Sequence, residues 1–199
     1  MSRHDSPVSN ANKPHRVLVV GGSYGGLSFI VNLLDLIDGK PARLTHDSLP
    51  DFAGRTSQRG VEITLLDERD GFFHTVGAPL AHTAKQHVVS FWKEFSALKE
   101  LRHPSLTTAR GRIDQLDCEA RRANLTNLTS GVTSHLDYDH VLVATGLRRQ
   151  WPIVPESHSK DRYVMDALQH INTLEASKRV VVIGGGVLIS MQSNAISGY

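Results

Sequence analysis

The sequence predicts an α/β chain built on a parallel sheet with an added β-meander. Two observations carry this. Arg16-Val-Leu-Val-Val20 is a short β-branched run that stops abruptly at glycine. From Leu27 the apolar residues fall at Leu27, Ile30, Val31, Leu34 and Ile37, so the period switches from two to 3.6 and strand gives way to helix. Val61-Glu-Ile-Thr-Leu-Leu66 follows as a second strand, and strand, helix, strand is a βαβ unit.

The remaining elements follow in order. Gly39 and Pro41 stop the first helix, because glycine favours the left-handed cap and proline cannot continue the ladder. Residues 39–60 hold three glycines and two prolines among polar residues, which makes them a loop insertion. Phe91–Leu101 is predicted helical. Residues 105–138 alternate short Thr, Ile, Leu and Val runs with Asn, Ser and Gly131, the pattern of a β-meander. Val141-Leu-Val-Ala144 is a further buried strand ending at Thr145-Gly146. Trp151, Pro152 and Pro155 mark a linker. Asp161–Ser177 is a predicted helix, and Arg179-Val-Val-Val-Ile183 a strand running again into glycine.

Composition sets the outer limits. The 199 residues are 40% hydrophobic and 21% charged, enough to bury a core. A net charge of +2 without a long block of one sign gives no argument for nucleic acid or an anionic membrane. Cys118 is the single cysteine, which excludes an internal disulfide, a CxxC pair and a structural zinc knuckle. Met1–His15 is polar, with no apolar core for a secretory signal, and is expected to be a frayed tail; the predicted compartment is the cytoplasm. The uncharged stretches Val17–Leu34 and Val180–Tyr199 carry clustered glycines where a membrane span needs continuous apolar surface. Of the eleven histidines no two stand at i, i+4, so no metal site is predicted, and His82 and His87 are assigned to core or surface. Asn124-Leu-Thr and Asn127-Leu-Thr are taken as chance sequons.

Gly21-Gly-Ser-Tyr-Gly-Gly26 lies between strand and helix, where a dinucleotide fingerprint must lie. The first glycine makes the tight turn, the second position lets backbone approach a pyrophosphate, and the third lets helix and strand pack closely. The helix N-terminus then offers free N–H groups and a positive dipole end to phosphate. Ser23 occupies the second position, a departure that keeps the side chain small and adds a hydroxyl donor. An acid is expected about 20 residues on, at the end of the second strand, to hold ribose hydroxyls. Asp67 lies 41 residues after Gly26, and removing the 22-residue insertion leaves 19. Glu68 is the alternative acid. A carboxylate there favours a ribose without a 2′-phosphate.

Three further segments, Asp70–Leu80, Gly111–Asp117 and Leu136–Arg148, extend the pattern. Together with the glycine turn they resemble the FAD- and NAD(P)-binding pyridine-nucleotide oxidoreductases, in particular the apoptosis-inducing-factor-like flavoproteins related to type II NADH dehydrogenases. The resemblance spans about residues 15–186. It implies a Rossmann-type FAD-binding domain over 16–155 and a linker helix with an incomplete NAD(P)H-binding segment over 156–199. It also implies that Gly21, Gly22, Ser23, Tyr24, Gly25 and Gly26 cradle the FAD pyrophosphate, with Asp67 or Glu68 on the ribose. Ile113 matches a backbone position at adenine, and Ala144, Thr145 and Gly146 match a strand end passing close to the cofactor. His74–Leu80 would approach the flavin.

The activity implied is hydride transfer from NAD(P)H to FAD and onward transfer to a quinone-like or other small-molecule acceptor. No catalytic side chain is assigned, because flavin carries the chemistry. The missing cysteine pair argues against the disulfide-reductase branches. Gly184, Gly185 and Gly186 begin a second nucleotide motif, but Ile189 stands where a third glycine is needed. The chain is therefore expected to be an N-terminal fragment of such an enzyme with an aberrant tail. The alternative is an inactive dinucleotide-binding or interaction module. Peripheral membrane association and the oligomeric state stay open.

Overall fold

The computed structural model describes residues 13–43, 59–147 and 149–181. The chain divides into two compact units, one formed by Met1–Leu66 with Arg102–Ala144, the other by Asp67–Leu101 with Thr145–Tyr199.

The first unit is organised by a six-stranded sheet. β1 (His15–Val20) pairs in parallel with β2 (Val61–Asp67) on one side and β8 (His140–Val143) on the other. Val17–Val20 are all buried, as an interior strand paired on both sides and apolar on both faces requires. β5 (Leu106–Asp117), β6 (Arg122–Asn127) and β7 (Thr133–Asp137) form the expected antiparallel meander. The strand order is β7-β6-β5-β2-β1-β8. Leu18, Val20, Leu66, Ala123, Leu125 and Tyr138 make one core cluster, with Ile113 and Val141 packed against it. At the β8 end Asp139 accepts the Arg16 backbone N–H at 2.8 Å and its guanidinium at 3.2 and 3.3 Å, which holds the carboxyl down to about 2.

Helix α1 (Tyr24–Ile37) starts three residues before its first apolar position and buries Gly26, Ile30 and Leu34 at i, i+4, i+8. It ends as the sequence predicts. Gly39 has φ +71°, its N–H donates to Leu36 O at 3.0 Å, and Lys40 N–H donates to Asp35 O at 2.9 Å. That pair of bonds is a Schellman cap, which satisfies carbonyls the helix leaves open. Buried Asp35 also takes the Arg43 guanidinium on both oxygens at 2.7 Å, tying down the first residues after the helix.

The second unit is built around aromatic rings. β3 (Gly71–Phe73) pairs antiparallel with β4 (Trp92–Glu94), and α3 (Lys160–Ala176) buries Tyr163, Ala167 and Ile171. Tyr163 stacks on Trp92 with centroids 5.3 Å apart and meets Phe73 edge-on at 5.1 Å. The short helix α2 (Ala78–Ala81) adds Ala78 and Ala81 to this core. One carboxylate joins the pieces. Asp70 accepts the Trp92 indole N–H at 2.8 Å and the Lys160 backbone N–H at 3.2 Å, so it caps α3 while the side chain of Ser159, the N-cap residue, makes no capping bond.

Two expectations need correction. Phe91–Leu101 is not a helix: it holds β4 and two short 3-10 turns at Phe95–Ala97 and Lys99–Leu101. Trp92 is fully buried between Asp70 and Tyr163, and pairing with β3 overrides the local periodicity. Arg179–Val181 is not in a strand, and the rest of that predicted strand lies outside the described residues.

Candidate functional site

The glycine turn leaves β1 at Val20. Gly21 has φ +104°, a conformation L side chains rarely adopt, and its N–H donates to Leu66 O at 2.9 Å. Gly26 sits one turn into α1, where an added Cβ would collide with the Gly21 carbonyl oxygen and stand 3.3 Å from Val19 Cγ1. Helix and strand can approach this closely only because Gly26 lacks a side chain. Gly25 is more permissive, since a Cβ there would make an ordinary 3.6 Å contact with Ala144 Cβ. Ala144 in turn donates its N–H to Val20 O at 2.8 Å. The turn, the last paired residue of β2 and the end of β8 therefore meet at the carboxyl end of the parallel strands, where such sheets bind ligands.

Electrostatics at the helix start match an anionic group. The first turn of α1 contains no acidic residue, so nothing in it neutralises the positive end of the helix dipole. Ser23 is the N-cap residue, with φ −106° and ψ −156°, and its carbonyl accepts Leu27 N–H at 2.8 Å. Its side chain makes no capping bond. A dinucleotide pyrophosphate fits this turn: Tyr24 and Gly25 at the helix start are exposed, the first turn of α1 carries no acid, and Gly26 leaves no room for a Cβ between helix and strand.

In the second unit, Asp67 closes β2, and its Oδ1 accepts the Arg69 backbone N–H at 2.8 Å. Glu68 faces His158 at 3.4 Å. The two acids therefore have different partners, and it is Asp67 that the strand end holds. The Arg69 guanidinium donates to Pro155 O at 2.8 Å and lies 5.9 Å from the Trp92 ring centre. Sequence reasoning missed this arginine, although an acid followed two residues later by the residue it bonds is a recognisable Asx-turn spacing.

The other predicted positions fall as follows. Ile113 is in β5 opposite Leu125, at a bulge, with its side chain against the first core. Thr145 and Gly146 are exposed, and Gly146 has φ +69° with open space around it. His74 is exposed and stacks on Phe91 at 5.7 Å, while Gly77 must be glycine because a Cβ would enter the Phe91 ring. Arg148, Gly184, Gly185, Gly186 and Ile189 lie outside the described residues.

His82 is a core residue. It is fully buried beside Trp151, Tyr163 and His170, and neither ring nitrogen has a hydrogen-bond partner. Burial, then repulsion from His170, pushes its titration down to about 4, so the ring is neutral. Among the described residues no three His, Cys, Asp or Glu side chains converge to hold a metal ion. Nor is any described helix long and apolar enough to cross a membrane.

A glycine turn at the carboxyl end of a parallel sheet, followed by a strand closing in an acid, defines a Rossmann-type nucleotide-binding protein. Residues 50–191 match the family model of the pyridine nucleotide-disulphide oxidoreductases, and the chain belongs to that family. That match begins after the glycine turn, so the turn and the matched segment are separate observations. Oxidoreductase OXR1 of Ajellomyces capsulatus is 36% identical over 184 residues, covering 90% of this chain and 40% of that protein. The chain thus spans less than half the length of this curated relative. The water-forming NADH oxidase from Lactobacillus brevis, solved bound to NADH, has a TM-score of 0.57 at 17% identity, over 92% of this chain and 37% of its own. NDH2 from Plasmodium falciparum, solved in complex with NADH, has a TM-score of 0.54 at 16% identity, over 82% and 30%. At these identities the solved structures speak for the fold.

Proposed function

We propose that this chain supplies the FAD-binding part of a flavoprotein that carries electrons from NAD(P)H to a quinone-like or other small-molecule acceptor, in an apoptosis-inducing-factor-like branch of its family and in the cytoplasm. The single observation that carries the reading is the approach of Gly26 to the Gly21 carbonyl, the close packing of helix on strand that a dinucleotide-binding glycine turn needs.

The residues divide the work of binding. The N–H groups at the start of α1 meet the pyrophosphate, with the dipole aligned to favour negative charge. Asp67 accepts ribose hydroxyls, and the backbone at Ile113 borders adenine. Ala144, being small, would let the cofactor pass close to the strand end. A bound FAD would supply the hydride and electron chemistry, and the part of these residues would be binding, orientation and electrostatics. NAD(P)H binding is assigned to the segment that begins at Gly184.

The test is an absorption spectrum of the purified 199-residue chain, with FAD added, before and after anaerobic NADH. A protein-bound flavin spectrum that NADH leaves unbleached is the expected result for the FAD-binding part alone. Bleaching would mean that the chain also admits the hydride donor and is no mere fragment. Failure to bind FAD would overturn the reading and leave an interaction module.

A further inference from the structure

Asp67, the acid assigned above to the ribose, does not set its own direction. Its Oδ1 accepts the Arg69 backbone N–H at 2.8 Å, an Asx turn that restrains rotation of the carboxylate about its last side-chain bond. That restraint is only as firm as the amide that donates. The Arg69 side chain is itself anchored: its guanidinium donates to the carbonyl of buried Pro155 at 2.8 Å and lies 5.9 Å from the ring centre of fully buried Trp92. Both partners are uncharged, so the cation is held in place by a carbonyl and an aromatic face. Burial disfavours its charge, and Asp67 and then Glu68 oppose that penalty through space. The fold of the unit has separate fastenings at the next residue. Asp70 donates its N–H to His158 O at 3.1 Å, and its carboxylate takes the Trp92 indole and the Lys160 amide. Arg69 can therefore be altered with the joint between β3, β4 and α3 still made.

We propose that Arg69 is a positioning residue for nucleotide recognition: with its side chain fixed on Pro155 and Trp92, it holds its amide, and through the amide the Asp67 carboxylate, at the angle that accepts ribose hydroxyls. This rests on the assignment of Asp67 to the ribose and deepens it, because the discrimination then depends on a cation that touches no part of the ligand. Sites of this kind are accurate when the contacting group is locked by packing and hydrogen bonds behind it. A planar guanidinium laid against a ring and bonded to one carbonyl gives such a lock, and a lysine ammonium, lacking the fork, does not.

Calorimetric titration of the full chain with ADP and with 2′,3′-dideoxy-ADP, which lacks both ribose hydroxyls, isolates the contact. The parent is expected to prefer ADP about tenfold, the worth of a hydrogen bond to a charged group. Arg69→Met keeps an apolar stem against Trp92 and should cut that preference to about twofold. Arg69→Lys, which keeps the charge and loses the fork, should leave the preference equally low. In an Asp67→Ala background, adding Arg69→Met should change the preference no further, because the arginine acts through the carboxylate. An unchanged preference in Arg69→Met, or an equal loss of both nucleotides, makes the arginine a packing residue and overturns the proposal. Full recovery in Arg69→Lys overturns it as well, since charge alone would then suffice. A parent that binds both nucleotides equally removes Asp67 from the ribose and the proposal with it, whereas a parent that binds neither overturns the dinucleotide-binding reading itself.

Discussion

Lowering the pH from 7 to 4 should destabilise the aromatic unit through one residue. His82 is fully buried, and both its ring nitrogens lack partners. In the unfolded chain it titrates near the ordinary histidine value of 6.5, whereas burial in the fold lowers it to about 4. The folded state therefore binds fewer protons than the unfolded state between those values, and stability rises with pH across the window. The contribution is whole above pH 6.5, falls as the pH drops below it, and is fully lost near pH 4. At about 1.4 kcal/mol per pH unit the gap amounts to about 3 kcal/mol. The chain's two tryptophans are Trp92 and Trp151, both in this unit, so intrinsic fluorescence during urea unfolding reports on it directly. His82→Phe keeps an aromatic ring beside Phe73, Trp151 and Tyr163 and removes the titration. His170, also lowered by burial, and the carboxylates remain in both proteins, so the difference between them isolates His82. Between pH 7 and pH 4 the parent should lose about 3 kcal/mol more than His82→Phe. Parallel pH profiles for the two proteins would refute the reasoning.

Three further outcomes follow from the same contacts. Gly26→Ala drives a methyl into the Gly21 carbonyl, and should cost about 1–3 kcal/mol in urea unfolding and abolish ADP binding by calorimetry. Asp67→Ala should weaken ADP about tenfold, whereas Glu68→Ala, which removes the carboxylate facing His158, should change it less than about twofold. Asp70→Ala leaves the Trp92 indole N–H and the Lys160 amide without their acceptor, and should lower the stability of the second unit by about 3 kcal/mol, read by tryptophan fluorescence; Asp70→Asn, with one acceptor oxygen, should recover part of it.

Much of this protein is decided over short range and was therefore legible before any fold was seen. The β-branched run Arg16–Val20, the glycine that ends it and the apolar spacing from Ile30 to Leu34 are local signals, because strand and helix periods are set by backbone geometry. Gly39 closes α1 in a left-handed cap for the same reason. The meander and the helix at Lys160–Ala176 were likewise visible in alternation and periodicity. So were the glycine turn and Asp67, once the 39–60 insertion was discounted.

What local pattern could not decide depended on partners distant in the chain. The helical spacing of Phe91–Leu101 gave way to β4 because Trp92 gains more from burial against Tyr163 and a bond to Asp70 than a helix could return. The cap of α3 comes from Asp70, 90 residues away, and no neighbour in sequence announces it. His82 looked like any histidine until packing stripped its nitrogens of partners. Which residue has room for a side chain and which polar group finds a partner are matters of distance between segments. The sequence by itself determined the class of fold and the place of the glycine turn. Only tertiary packing decided that Gly26 has no room for a methyl, that Glu68 is paired to His158, and that the Ser23 hydroxyl is not spent on the helix it caps.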